Sequence, residues 1–306
     1  MLNSLFQLLN IKHSPINAFF LGVAYSLLGI ITAMIIFPAY AGIVSVFFTA
    51  IALMPSLQKL TDLAAAREGR EQIVRTKNVE LTEFKLTGNK LSFKNLWNDY
   101  GQIIQVYFYS FIGVFIIYSM VTLITPTHSI SGLFGEQTAN ISGKAFSVLP
   151  FSPTGSADCS DYKVCLFEQI VSNNLWVLFV SFAVSLIYGA GSTFIITWNA
   201  SVWGVAFASF ALQRAPLAGS DPFVYFALIL LTVLPHTLVE AMTYFTAAIA
   251  GGILSIGIAK HTYLENRFNQ IFLQSLVLLG VSGILLLLGG FLEVYAIQFF
   301  AQMFLS

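Results

Sequence analysis

Residues 222–259 read PFVYFALILLTVLPHTLVEAMTYFTAAIAGGILSIGIA, and the interpretation of this stretch decides the fold. As one helix, at 1.5 Å per residue, it would run about 57 Å, against a hydrocarbon core of about 30 Å. Pro235 is the natural break, because it removes a backbone donor and its ring clashes with the preceding turn. The piece before it, about 13 residues, falls short of the roughly 20 that a crossing needs. We read 222–234 as a re-entrant or half-depth helix and 236–259 as the helix that completes the crossing. Two full crossings are the alternative. The expected fold is all-α: a polytopic transmembrane helical bundle with a broken or re-entrant helix around Pro235.

The composition of the whole chain agrees. Of 306 residues, 57% are apolar and only 9% charged, with a mean hydropathy of +0.80. Soluble domains carry about 25% charged residues, so an ordinary water-soluble enzyme is excluded. The 14 basic and 14 acidic residues cancel, which excludes nucleic-acid binding driven by overall basicity. The 29 Phe and 12 Tyr suit a lipid-facing surface with aromatic belts. The environment this implies is the lipid bilayer.

Outward from 222–259, further apolar runs give spans at roughly 17–37, 39–58, 100–124, 171–188, 191–212 and 270–303. The first two are parted by little more than Pro38, and Gly189 and Gly191 divide the fourth from the fifth. Counting 222–259 once gives seven crossings. Eight of the 14 basic residues lie between Lys59 and Lys94. By the positive-inside rule this connector is cytoplasmic, which puts the amino terminus inside and the carboxyl terminus outside a cell membrane. Three regions follow: an N-terminal transmembrane hairpin over 1–58, a charged cytoplasmic connector over 59–98, and a transmembrane domain over 99–306 with an outside loop at 125–170. Leu60, Leu63, Ala64 and Arg67 carry a helical period out of the second span, so about 59–77 is expected to be an amphipathic helix beside the membrane. The first apolar stretch lacks a small-residue cleavage site and reads as a retained anchor. No internal repeat of the kind common in ion-coupled transporters stands out.

Cys159 and Cys165 both fall in the outside loop, where an oxidising exterior favours a disulfide. Two thiolates do not make a zinc site, which wants four ligands.

The residues that do not belong in lipid carry the functional argument. Glu240 and Glu293 are the two acids well inside the spans. A charged carboxylate at the bilayer centre costs roughly 2.5–3.5 kcal/mol by insertion scales, so each must be neutralised, paired or turned to a wet cavity. His236 precedes Glu240 by four residues, which places both on one helix face. Asn199 lies mid-span, and Asn173 and Asn174 open the span before it. This polar cluster can serve as interhelical hydrogen-bond glue, as an ion or ligand site, or, with His236, Glu240 and Glu293 as metal ligands or base, as an intramembrane metal-dependent hydrolase. The last is short of ligands, because His13, His128 and His261 all fall outside the spans. No phosphate-cradling loop, nucleotide motif or Ser/His/Asp order is present, so no cofactor and no catalytic residue is assigned. Ala247, Ala248, Ala250, Gly251 and Gly252 on one helix, and Gly280, Gly283, Gly289 and Gly290 on the last, are expected to let helices approach closely.

The same residues resemble the stage II sporulation protein M family. The resemblance rests on Asn173-Asn174-Leu175-Trp176-Val177, Gly189-Ala190-Gly191 and Trp198-Asn199-Ala200-Ser201-Val202, then Pro235-His236-Thr237-Leu238-Val239-Glu240 followed by Ala250-Gly251-Gly252. Leu292-Glu293-Val294-Tyr295 is similar to that family's last helix and Phe111-Ile112-Gly113-Val114-Phe115 to its first, so the likeness spans about 93–303. Thr237 stands where the family commonly has Gly, and the pattern is more like the archaeal branch. In spore-formers the namesake is a membrane scaffold that holds cell-wall hydrolases at the septum. The resemblance therefore implies a scaffold or assembly protein with membrane or cell-envelope protein partners, and not an enzyme. A homodimer through small-residue faces is open. The competing classes are a permease or channel lined by His236, Glu240 and Asn199, and the metal-dependent hydrolase.

Overall fold

The structure, a computed structural model, describes residues 15–76, 93–141, 162–260 and 266–295. Among these residues it is all helix, with no strand. The helices are α1 (Asn17–Ile36), α2 (Ala41–Thr76), α3 (Phe93–Ile124), α4 (Thr127–Leu133), α5 (Gly135–Ile141), α6 (Tyr162–Tyr188), α7 (Thr193–Arg214), α8 (Pro222–Lys260) and α9 (Asn266–Tyr295), with a short 3-10 turn at Pro38–Tyr40 between the first two. Seven of the described helices are long and apolar enough to cross a membrane. Large apolar side chains such as Leu28, Ile35, Phe179 and Ile284 point outward, as a bilayer-embedded surface requires. The protein is a multi-pass helical membrane protein.

One expectation is overturned. The helix at 222–259 is not broken at Pro235: α8 runs as a single helix of 39 residues with Pro235 inside it. The local rule weighs the missing N–H and the ring clash, a cost of about 3 kcal/mol. It ignores that in lipid a true break would leave several backbone groups without partners, each costing comparably. Continuing the helix forfeits one hydrogen bond, while the Thr237 hydroxyl donates to Val233 O at 3.0 Å beside the proline. The start of α8 is well specified: Asp221 Oδ1 accepts the Phe223 and Val224 N–H groups at 2.9 and 3.3 Å, and Pro222 occupies the first helical position.

The 125–170 segment is also more structured than a polar loop. It holds α4 and α5, and α6 begins at Tyr162, well before the expected 171. Helix α2 continues to Thr76, as the amphipathic period over 59–77 predicts. Cys165 lies in α6, whereas Cys159, His13 and His261 lie outside the described residues.

Lipid tails are as apolar as leucine, so helices in a bilayer associate through close packing and hydrogen bonds. Several contacts bring backbone to backbone, one of them at Gly29 of α1, where a Cβ would lie 2.8 Å from Ser45 O of α2. Gly22 of α1 and Gly113 of α3 sit against each other, and a Cβ on Gly22 would meet the Ser110 carbonyl. On α7, a Cβ at Gly204 would lie 2.8 Å from Phe115 O of α3, and on α8 one at Gly251 would collide with Phe182 O of α6. The last helix differs from expectation. Gly289 and Gly290 face neighbours, but a Cβ at Gly280 or Gly283 would meet nothing within 4 Å. Hydroxyls tie α9 to α8 instead: Ser275 Oγ donates to Ala250 O at 2.9 Å and Ser282 Oγ to Thr243 O at 2.7 Å.

A second polar node lies among α2, α3, α5 and α7. Gln137 is fully buried and donates to Gly42 O at 3.1 Å and to Ser201 Oγ at 3.4 Å. Ser45 Oγ and Tyr118 Oη are 2.7 Å apart in the same region. Short α5 thereby plugs a polar side chain between two long helices.

Candidate functional site: a polar cavity among four helices

The stripe His236, Glu240, Tyr244 follows from α8 geometry: residues four apart stack on one face. That face meets α6, where Gln169 and Asn173 stand at the same spacing, with Asn174 beside them. Four helices line a partly open cavity of about 360 Å³. Leu166, Gln169, Ile170, Asn173 and Asn174 of α6 line one side, His236, Thr237 and Glu240 of α8 another, with Trp203 and Phe207 of α7 and Glu293 of α9 completing the wall.

One corner is tied together. The Tyr244 hydroxyl is fully enclosed and lies 2.6 Å from Glu240 Oε1, to which it donates, and 3.0 Å from Asn174 Oδ1. Asn173 Nδ2 reaches Asn174 Oδ1 at 3.2 Å. The corner therefore joins α6 to α8 through four polar side chains, Asn173 and Asn174 on one helix and Glu240 and Tyr244 on the other. The opposite part of the wall is unclasped: His236 is only 7% exposed, yet neither it nor Glu293 has a hydrogen-bond partner among the described residues. Trp203 is held edge-on against Phe111 at a centroid separation of 5.3 Å, which fixes its position at the cavity edge.

Of the six polar positions singled out from sequence, five line the cavity: His236, Glu240, Glu293, Asn173 and Asn174. Asn199 does not. Its Nδ2 donates to Ile195 O of its own helix at 2.8 Å, so its polarity is spent locally. Tyr244, Gln169, Trp203 and Phe207 were missed. The signal for Tyr244 and Gln169 was present, since each stands four residues from a residue already in the cluster.

The metal-ligand reading of His236, Glu240 and Glu293 finds no support in the geometry. Among the described residues no three His, Cys, Asp or Glu side chains are placed to hold one ion. One histidine and two carboxylates spread around a cavity of this size do not converge on a point, as a zinc site must.

The family model described as stage II sporulation protein M matches residues 133–296. The chain belongs to the stage II sporulation protein M family. The match contains every cavity-lining residue but begins after α3, so the likeness at Phe111–Phe115 lies outside it. No curated protein and no solved structure matches the chain. The family's segments around Asn173–Asn174, Pro235–Glu240 and Glu293, far apart in sequence, are the ones that meet at the cavity.

Proposed function

We propose that this member of the sporulation-protein-M family acts as a membrane scaffold or assembly component, not as an enzyme, in the cell membrane. The observation that carries the reading is the backbone-to-backbone locking at Gly22–Gly113, Gly204 and Gly251. Helices in such contact cannot slide or rotate without steric collision, because packed interfaces offer discrete arrangements rather than a continuum. A rigid bundle suits a platform for other membrane or envelope proteins better than an alternating-access carrier.

In the proposed orientation, the amino terminus and the 59–98 connector face the cytoplasm, in keeping with its basic surplus. The N-terminal hairpin, the connector and the remaining transmembrane domain are the proposed regions, and a disulfide between Cys159 and Cys165 belongs to the outer side. The archaeal-type assignment rests on residue pattern alone, and a homodimer on the small-residue faces.

The competing permease or channel reading is favoured by one observation, the polar cavity itself. Reconstitution separates the two. A scaffold in vesicles adds no flux of protons, sodium or potassium over protein-free vesicles. Flux that Glu240→Gln abolishes, with the melting temperature unchanged, would overturn the scaffold reading.

A further inference from the structure

We infer that the cavity among α6, α7, α8 and α9 binds a primary ammonium group, carried by a free amine or by a lipid headgroup. Its lining holds two carboxylates, Glu240 and Glu293, and neither lysine nor arginine. Neither carboxylate has a cationic partner among the described residues. Burying carboxylates without compensation is expensive, and a bound cation removes that cost. An anion is excluded by the same charges. A bare inorganic ion does not account for the room: about 360 Å³ corresponds to roughly a dozen waters at about 30 Å³ each.

The second, independent feature is His236. It is more than nine-tenths buried, lines the cavity and has no partner among the described residues. Its ring nitrogen, the carboxylates and the Asn173 amide oxygen offer acceptors at separate points of the wall, which the N–H donors of an ammonium meet directly or through water. Trp203 and Phe207 also line this space, and aromatic side chains beside a cation favour an organic one through cation–π attraction. Carboxylate, imidazole and aromatic ring together select a charged amine over a neutral alcohol of equal shape.

The inference goes beyond the scaffold reading and is tested separately from it, by titrating the full chain in phosphatidylcholine nanodiscs with propylammonium and with its neutral isostere 1-propanol. Propylammonium is expected to bind at least tenfold more tightly, and Glu240→Gln and Trp203→Leu each to weaken it about tenfold or more. Equal binding of the two probes by the wild-type protein, or no binding of propylammonium, overturns the site whether or not the variants fold. Repeating the titration in phosphatidylethanolamine nanodiscs identifies the source: a tenfold loss of apparent affinity means that the headgroup competes, and unchanged affinity means that a free amine is the ligand. Both of those outcomes support the site. Transport of propylammonium into vesicles would sink the scaffold reading while leaving the site standing.

Discussion

The molecule buries polar side chains in two places and treats them in opposite ways. At the Gln137 node, among α2, α3, α5 and α7, side chains fill the space and donate to one another or to backbone carbonyls at 2.7–3.4 Å. Only Gln137 Oε1 lacks a partner there. Around His236, Glu240 and Glu293, one corner is clasped by Tyr244 and the rest opens on a cavity of about 360 Å³. Polar groups used as glue consume one another's hydrogen bonds. Groups that bind something else keep theirs, and the fold has to sustain the space. The same residue types, at similar depth of burial, thus separate into structural and receptive roles by what fills the gap between them.

The largest effect that sharpens this contrast is expected at the closed node. Gln137→Ala removes a fully buried side chain and leaves Ser201 Oγ without its donor and Gly42 O with the Ser45 hydroxyl as its side-chain donor, a loss of about 2–4 kcal/mol. Denaturant unfolding in micelles measures it, and a change below about 1 kcal/mol would mean that the node is not tightly bound. Next comes Tyr244→Phe, which cuts the clasp between α6 and α8. Interhelical hydrogen bonds in membranes average about 0.6 and reach about 1.7 kcal/mol; the Tyr244 hydroxyl serves both the Asn174 amide oxygen of α6 and the Glu240 carboxylate of its own helix, so its loss belongs near the upper value.

His236→Ala should cost less than about 1 kcal/mol, because the ring holds no hydrogen bond to lose. A larger drop in melting temperature would erase the distinction between the two regions by making His236 part of the glue. The smallest effect belongs to Asn199→Ala. With its amide satisfied within its own helix, it should change stability by no more than about 0.5 kcal/mol and leave propylammonium affinity within twofold of wild type.

Much of this was legible in the residues, and the failures have causes. The spans are dictated by composition, because 18 or more apolar residues have few alternatives to crossing a bilayer. The His236–Glu240 stripe was legible because helical periodicity is rigid, and extending it by one turn would have reached Tyr244. Asn199 misled because periodicity tells which residues share a face but not which face a neighbour covers. Gln137 was invisible: it sits in a segment rich in Gly, Ser and Pro, whose composition reads as an outside loop. Pro235 misled because a local cost was set against nothing, whereas the real competitor was a row of unpaired backbone groups in lipid.

The clasp made by Gln137 has a consequence for biogenesis. Gly42 emerges from the ribosome 95 residues before Gln137, and Ser201 a further 64 residues later. At synthesis rates of about 5–20 residues per second, the first gap alone lasts roughly 5–20 s. During that interval the Gly42 carbonyl has the Ser45 hydroxyl of its own helix as side-chain donor, without the second donor that Gln137 brings. The early hairpin is therefore the segment on which a membrane insertase or chaperone would act longest, and α5 is the piece whose arrival ends the wait.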